Sequence, residues 1–177
     1  NTAKGQPTTA LNNRTTTMGL AVGQIIKKHS VSLTAQSSQF RDANKLAHDL
    51  DTQTLGFSSS WRLPRSWTAT FGVTASNTKD KSDGSKRTTT SVGPSLSMPL
   101  APKWTGQFWG NMTATKSTSP TFPLDNSLLS LNSEYTWTTS PQVSMTFGVG
   151  ANQSKDKLVA SNTYKEIVLS MRYSYTF

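Results

Sequence analysis

Few residues in this sequence are of the types that carry out catalysis or bind metals. There is no cysteine, which excludes a thiol nucleophile, a disulfide scaffold and Cys-ligated zinc or iron–sulfur sites. Two histidines are present, and His48, next to Asp49 and near Asp42 and Asp51, is a candidate for a surface hydrolase dyad or a metal site. Geometry has to establish such a role before residue types can. We therefore interpret His48 as a solvated loop residue and His29 as part of a cationic turn, and we predict no catalytic residue, metal ligand or cofactor.

The motifs of nucleotide and ester chemistry are also missing from the chain. It contains no P-loop, no glycine-rich dinucleotide fingerprint and no nucleophile elbow. The net charge of +9 points first to nucleic acid, but basic residues alternate with acidic ones in short clusters such as 79–83 and 155–157. A nucleic-acid site needs a patterned basic surface with stacking aromatics. We predict no nucleic-acid partner.

The secondary structure of the chain is predicted from its hydrophobicity, which alternates with a period of two residues. In residues 67–76, Trp, Ala, Phe, Val and Ala alternate with Thr, Thr, Gly, Thr and Ser. Such alternation places one residue class on each face of a β-strand. No apolar run reaches the roughly 18 residues that a membrane-spanning helix needs. The pattern predicts nine strands, at 15–26, 30–40, 53–62, 66–77, 87–98, 103–115, 127–138, 142–153 and 164–177.

Strand length and loop length together favour a membrane barrel. The predicted strands are close to the 9–11 residues that a tilted strand needs to cross a bilayer. Their connections alternate between short turns (27–29, 63–65, 99–102 and 139–141) and long loops (41–52, 78–86, 116–126 and 154–163). Tight turns at one end and longer loops at the other are typical of transmembrane β-barrels. The fold class is therefore predicted to be all-β, an antiparallel up-and-down transmembrane β-barrel; a soluble β-sandwich is the alternative, since its strands also alternate.

Large aromatic residues gather at the short-turn end of the predicted strands, where an interfacial girdle is expected. The predicted girdle consists of Trp61, Trp67, Trp104, Tyr135, Trp137, Tyr173, Tyr175 and Phe177.

The last ten residues, 168–177, alternate apolar and polar side chains and end on an aromatic. This segment resembles the closing strand of bacterial outer-membrane β-barrel proteins of the porin-like kind. The resemblance implies location in the outer membrane of a Gram-negative bacterium. It also implies that the barrel-assembly machinery reads this strand, through Leu169, Met171, Tyr173, Tyr175 and Phe177.

The number of strands bears on whether the barrel is complete. Bacterial single-chain barrels have even strand numbers with both ends on the periplasmic side, whereas nine strands leave the first one entering from the loop side. Residues 1–14 are therefore predicted to be a loop or the remnant of a preceding strand, and 15–177 a transmembrane segment. We expect the C-terminal part of a larger barrel. The alternatives are a ten-stranded barrel that uses residues 3–11 and a barrel shared by several chains.

The face opposite the apolar one is rich in Ser, Thr, Gly, Asn and Gln, which suits a water-filled lumen. The predicted lumen-facing residues are Thr70, Thr74, Gln107, Trp109, Asn111, Glu134, Thr146 and Arg172. Neutral walls favour uncharged solutes, because rings of fixed charge impose ion selectivity. We therefore predict a porin or an export conduit for a neutral polar solute or polysaccharide. The alternatives are a small complete barrel that acts as an adhesin or anchor and, with least support, a surface hydrolase that uses His48.

The predicted partners are the lipid bilayer, lipopolysaccharide, the assembly machinery and further strands. Lipopolysaccharide is expected at the basic loops, because cations near an anionic surface gain roughly 1 kcal/mol each. These loops contain Lys79, Lys81, Lys86, Arg87, Lys155 and Lys157.

Overall fold

The computed structural model describes residues 13–43, 47–119 and 123–176. They form one nine-stranded sheet in which each strand pairs antiparallel with the next along the chain. The strands are β1 (Asn13–Ile26), β2 (His29–Asp42), β3 (Leu50–Arg62), β4 (Thr68–Asp80), β5 (Lys86–Ala101), β6 (Trp104–Ser117), β7 (Leu124–Ser140), β8 (Val143–Asp156) and β9 (Tyr164–Tyr175). The predicted fold class, an up-and-down antiparallel sheet, is confirmed. Residues 1–12 and Phe177, on which parts of the predictions fall, lie outside the described residues.

Most strands extend further toward the long loops than predicted. Lys79 pairs with Lys86 across the β4–β5 hairpin, which leaves residues 81–85 as its loop. Charged residues suggested a loop here, but the backbone hydrogen bonds of a ladder do not depend on side-chain polarity. Asn13 and Arg14, which had been assigned to a loop or remnant, belong to β1.

The turn end also differs in detail from the prediction. β4 begins at Thr68 rather than 66, because Arg65 and Ser66 adopt left-handed backbone angles (φ 61° and 60°) within a short 3-10 turn. His29, expected in a turn, is the first residue of β2 and lies opposite Trp61. Loops 63–67 and 81–85 have equal length, so the alternation of loop lengths is weaker than predicted.

The pairing register sorts the side chains onto two faces, because residues directly opposite each other in a sheet point the same way. One face, called the apolar face here, carries Leu33, Leu55, Phe57, Val73, Val92, Met112, Leu131, Val149, Ile167 and Leu169 among others. The opposite face, called the polar face, is dominated by Ser, Thr, Gly, Asn and Gln.

The apolar face is not covered by another layer of the described protein. No hydrophobic side chain among the described residues is buried, and Leu169 and Ile167 are 76% and 77% exposed. A soluble protein does not leave such a continuous apolar surface in water. A second sheet packed over a core, as a sandwich requires, is absent from the described part of the chain. The apolar face is therefore built to contact hydrocarbon.

Among the described residues, no helix is long and apolar enough to cross a membrane.

The strands are staggered across the sheet. Following directly paired residues from Ile26, the last residue of β1, leads through Trp61 and Phe108 to Leu169, well before the end of β9 at Tyr175. This stagger is the shear that accompanies tilted strands in a barrel. Positions at one membrane depth are thus not positions in one hydrogen-bonded row.

The sheet formed by the described strands is open, with β1 and β9 at its edges. Both strands run from the long-loop end to the short-turn end, since eight antiparallel steps separate them. They therefore cannot pair antiparallel with each other. Closure with antiparallel pairs throughout needs an odd number of further strands between them.

Candidate functional site

The polar face is the surface of this sheet on which polar side chains converge. All eight residues predicted to face a lumen lie on it by register: Thr70, Thr74, Gln107, Trp109, Asn111, Glu134, Thr146 and Arg172. Each comes from an alternate position of a long strand, where the pleat points every second side chain the same way. The sequence pattern thus brings together residues from β4, β6, β7, β8 and β9.

Hydroxyl groups of neighbouring strands pair with each other along this face. Ser32 and Ser58 hydroxyls lie 2.8 Å apart and those of Thr70 and Ser95 2.7 Å apart. Thr136 and Thr146 form a similar pair at 3.0 Å, as do Thr89 and Thr115 at 3.4 Å. A hydroxyl can donate one hydrogen bond and still accept others. These pairs fix the side chains while leaving a hydrated, uncharged surface.

The two ends of the strands form the rims of the sheet. Between these rims, the charged residues of the polar face are Glu134 on β7 and Glu166 and Arg172 on β9. Glu166 accepts a hydrogen bond of 2.8 Å from the Asn152 side chain. The polar face of β1 to β6 carries no charge between its rims.

The predicted aromatic girdle lies at the short-turn end of the apolar face. Trp104 stacks on Trp137, with ring centroids 5.9 Å apart and an interplanar angle of 11°. Tyr135 meets Phe108 edge-on at 5.6 Å. The predicted girdle did not include Phe108. Its spacing of two residues from Gly106 and from Gly110 already placed it on the same face of the strand as these glycines.

The remaining members of the girdle are distributed along the sheet. Trp61, Tyr173 and Tyr175 lie on the apolar face near the strand ends, and Trp67 lies in the turn before β4. Tyr173 and Tyr175, with Leu169 and Met171 from the predicted assembly signal, form one face of β9.

The histidine singled out from the sequence has a different partner from the one its neighbours suggested. His48 Nδ1 contacts a carboxylate oxygen of Asp80, at the end of β4, rather than Asp49, Asp42 or Asp51. Asp49 instead accepts from the Asp42 backbone N–H at 2.9 Å. The fold brings the described part of the loop after β2, residues 47–49, beside loop 81–85, because β3 lies between β2 and β4. Sequence adjacency could not indicate this.

A network of polar contacts joins these two loops, and we call it the loop clasp. Asp51 binds the Arg41 guanidinium on one side and the Lys81 ammonium at 3.0 Å on the other. The backbone N–H of Lys81 donates to the Asp49 carbonyl at 2.8 Å. The clasp therefore orders the loop-side rim above β2 to β5.

The same region offers three potential metal-ligand atoms. One atom from each of His48, Asp80 and Asp83 lies within 4.8 Å of the others. Two of these residues are already engaged with each other, and Asp83 accepts a 2.7 Å hydrogen bond from the Ser85 N–H. These contacts explain why the three side chains lie close together in the loop structure.

Electrostatics of the clasp lower the pKa of two carboxyl groups that lie beyond the apolar band. Hydrogen bonds from Arg41 and Lys81 lower the pKa of Asp51 below its ordinary value of 3.8. Burial raises the pKa of Asp80, but hydrogen bonds from the Ser82 backbone and His48 outweigh it, and the net shift is downward. Both groups thus stay ionised in the folded clasp.

We expect the clasp to open in acid. A carboxyl whose folded pKa is depressed contributes stability above its unfolded pKa of 3.8, and this contribution is lost as pH falls through the lowered value. Hydrogen exchange at the Lys81 and Asp42 amides, corrected for intrinsic rates, should rise in that range below pH 3.8. Arg41→Gln removes the largest cause of the Asp51 shift and should move the transition upward. An unchanged midpoint in that variant would contradict this account.

Comparisons with known proteins bear on the fold. No protein-family model and no curated protein match the sequence. The siderophore receptor PirA from Pseudomonas aeruginosa matches with a TM-score of 0.68 and 16% identity over 93% of this chain and 32% of that one. An anion-selective porin from Comamonas acidovorans matches with a TM-score of 0.60 and 12% identity over 89% of this chain and 45% of the porin.

In vitro folded OmpT, an outer membrane protein of Vibrio cholerae, gives a TM-score of 0.60 at 11% identity, covering 91% of this chain and 55% of that one. The chain thus spans about a third to a half of the length of these structures. At such identities the likeness shows the fold. That fold is the bacterial outer-membrane β-barrel, as the sequence predicted.

Proposed function

We propose that this chain forms part of the wall of a channel in the bacterial outer membrane, a porin or export conduit for neutral polar solutes or polysaccharide. The observation that supports this most strongly is the two-sided sheet. One face is apolar and has no buried hydrophobic side chain among the described residues, and the other presents hydroxyl, amide and glycine groups. Such a sheet suits hydrocarbon on one side and water on the other. The proposed role needs no catalytic step.

Preference for neutral solutes follows from the distribution of charge on the polar face. From β1 to β6 this face has no fixed charge between the rims. A wall of neutral dipoles provides weak contacts for any hydrated solute, whereas charged rings attract one ion sign and repel the other. The paired hydroxyls make this part of the wall, from β1 to β6, chemically uniform, so a polar chain can pass along it without binding tightly at one position.

Further strands are part of this proposal. The same-direction edge strands β1 and β9 require an odd number of additional strands for antiparallel closure, from the rest of the same polypeptide or from another chain. A wider barrel also provides the lumen that a small one fills with side chains.

Lipopolysaccharide is the proposed partner of the loop-side rim. On the loop side of its hydrophobic residues, the apolar face carries Lys79, Lys86, Lys116, Lys155 and Lys165. Of the other loop lysines, Lys81 is paired with Asp51 at 3.0 Å and Lys157 with Asp125 at 3.2 Å. The outward-facing lysines support the proposal that this rim binds phosphate groups of lipid A, with roughly 1 kcal/mol per cation.

Planar-bilayer recording tests the channel. The native protein should give stepwise currents with weak ion selectivity. Thr70→Asp adds a charge to the polar face and should shift the reversal potential toward cation preference. Ser37→Asp adds the same charge to the apolar face, on β2, and should leave the reversal potential unchanged. Folded protein that inserts without carrying current would overturn the channel and favour the anchor or adhesin.

A further inference from the structure

One part of the polar face differs from the rest of the wall. Across β6 to β9 a niche of about 60 Å³ opens on this face. On the polar face its lining consists of the apolar Val168 and of Trp109, Asn132, Glu134, Gly148, Gly150 and Ser170.

Strand register builds the niche from two neighbouring rows. Trp109 lies opposite Asn132, which in turn lies opposite Gly150. In the next row Gly148 lies between Glu134 and Ser170. The indole thus stands at one side, and Gly148 and Gly150 form the floor.

The glycines are needed for the space. A Cβ atom at Gly150 would lie 2.7 Å from the Asn132 side-chain oxygen, and one at Gly148 3.3 Å from Glu134 Cγ. Side chains at these positions would therefore push the polar groups aside and fill the niche.

The polar groups of the niche have no protein partner within the described residues. Elsewhere hydroxyls pair across strands, but the Glu134 carboxylate, the Trp109 indole N–H and the Ser170 hydroxyl make no hydrogen bond or ion pair there. Asn132 donates through Nδ2 to Ser130 at 2.9 Å, which leaves its Oδ1 available. Unused donors and acceptors that converge beside an aromatic ring are the usual composition of a ligand site.

The chemistry of this group selects a hydroxylated, uncharged ligand. The half-buried indole offers an apolar π-face. Beside it, a carboxylate and an amide oxygen can accept hydrogen bonds from neighbouring hydroxyls, and these bonds are stronger when the acceptor is ionised. A pyranose has both features, an apolar C–H face and vicinal hydroxyls. An organic cation would meet Glu134 but also Arg172, two residues beyond Ser170 on the same face of β9.

We propose that this niche is a saccharide subsite of the channel wall, with the ring stacked on Trp109 and adjacent hydroxyls donating to Glu134 and Asn132. This rests on the proposed function, because the niche must open into a lumen. Its volume equals that of about two water molecules, so it holds one edge of a sugar while the rest stays in water. Binding is consequently weak and reversible, as passage requires.

Two readouts on the native protein test the subsite. In planar bilayers, maltotetraose should reduce the ion current in a saturable way, and poly(ethylene glycol) of similar size should not. Trp109→Ala should raise the half-blocking concentration about 3- to 10-fold, the effect of losing one aromatic contact. Gly150→Val, which fills the floor, should do the same, and Trp61→Ala on the apolar face should leave the half-blocking concentration unchanged.

Tryptophan fluorescence in detergent reads the same site without any current. Maltotetraose should change the emission of the wild type and of Trp61→Phe but not of Trp109→Phe. A conducting protein that shows neither block nor a Trp109-dependent emission change overturns the subsite alone. A protein that shows the emission change but carries no current keeps the subsite and overturns the channel. Equal responses in Trp109→Phe and wild type would also overturn the subsite.

Discussion

Val73→Arg should destabilise the folded protein in a bilayer by about 2–4 kcal/mol, the cost of a cation on the lipid face near the midplane. Val73 lies in the middle of β4, on the apolar face, opposite Phe57 and Val92. An arginine there has hydrocarbon rather than water around its guanidinium. The free energy of unfolding in phospholipid vesicles, measured by denaturant titration, gives the value.

The matched control is the next residue of the same strand. Thr74→Arg places the same side chain on the polar face, opposite Gly56 and Ser91. The expected loss is about 0.5 kcal/mol, as for a hydrated surface substitution. A larger loss at Thr74 would show that the two faces are assigned the wrong way, and equal losses would show that the assignment of only one face to lipid is wrong.

The second large effect is expected in assembly. Replacing both Tyr173 and Tyr175 by serine should reduce the fraction of protein inserted in the outer membrane several-fold. Both side chains lie on the apolar face at the turn end of β9 and are more than half exposed. We propose that they contact an assembly factor before the barrel closes and lie at the membrane interface afterwards. Pulse-labelled cells, sampled for the boiling-sensitive folded form, measure the yield.

Tyr164→Ser is the control for this experiment. Tyr164 begins the same strand, lies on the polar face at the loop end and is 50% exposed. Its replacement removes an equivalent ring without touching the proposed signal. If this variant loses as much inserted protein as the double variant, β9 is sensitive to aromatic loss in general and carries no terminal signal.

Much of the fold could be predicted because the sequence pattern is local. The alternation in residues 67–76 assigns Phe71 and Val73 to one face and Thr70 and Thr74 to the other, and the paired strands agree. The strand ends were less predictable. Residues such as Lys79 and Lys86 resemble loop residues, yet they pair in the ladder because the hairpin continues the backbone hydrogen bonds beyond the apolar part of the strands.

The sites depend on contacts between residues far apart in the sequence. The sequence offered Asp49 only as one candidate partner of His48, which we interpreted as a solvated loop residue, whereas in the structure His48 contacts Asp80 from the neighbouring hairpin. Trp109 and Glu134 were predicted separately, each as a lumen-facing residue. That they share a niche with Ser170 follows only from three strand pairings.

By itself, the order of residues determined the strand number, the two faces and the aromatic end of this protein. These properties follow from the period of two along each strand, which needs no knowledge of a neighbour. Only the tertiary structure decided which side chains meet, in the loop clasp and in the niche. The physical reason is register: a slip of one residue between two strands moves every side chain to the other face, and turns and bulges set that register.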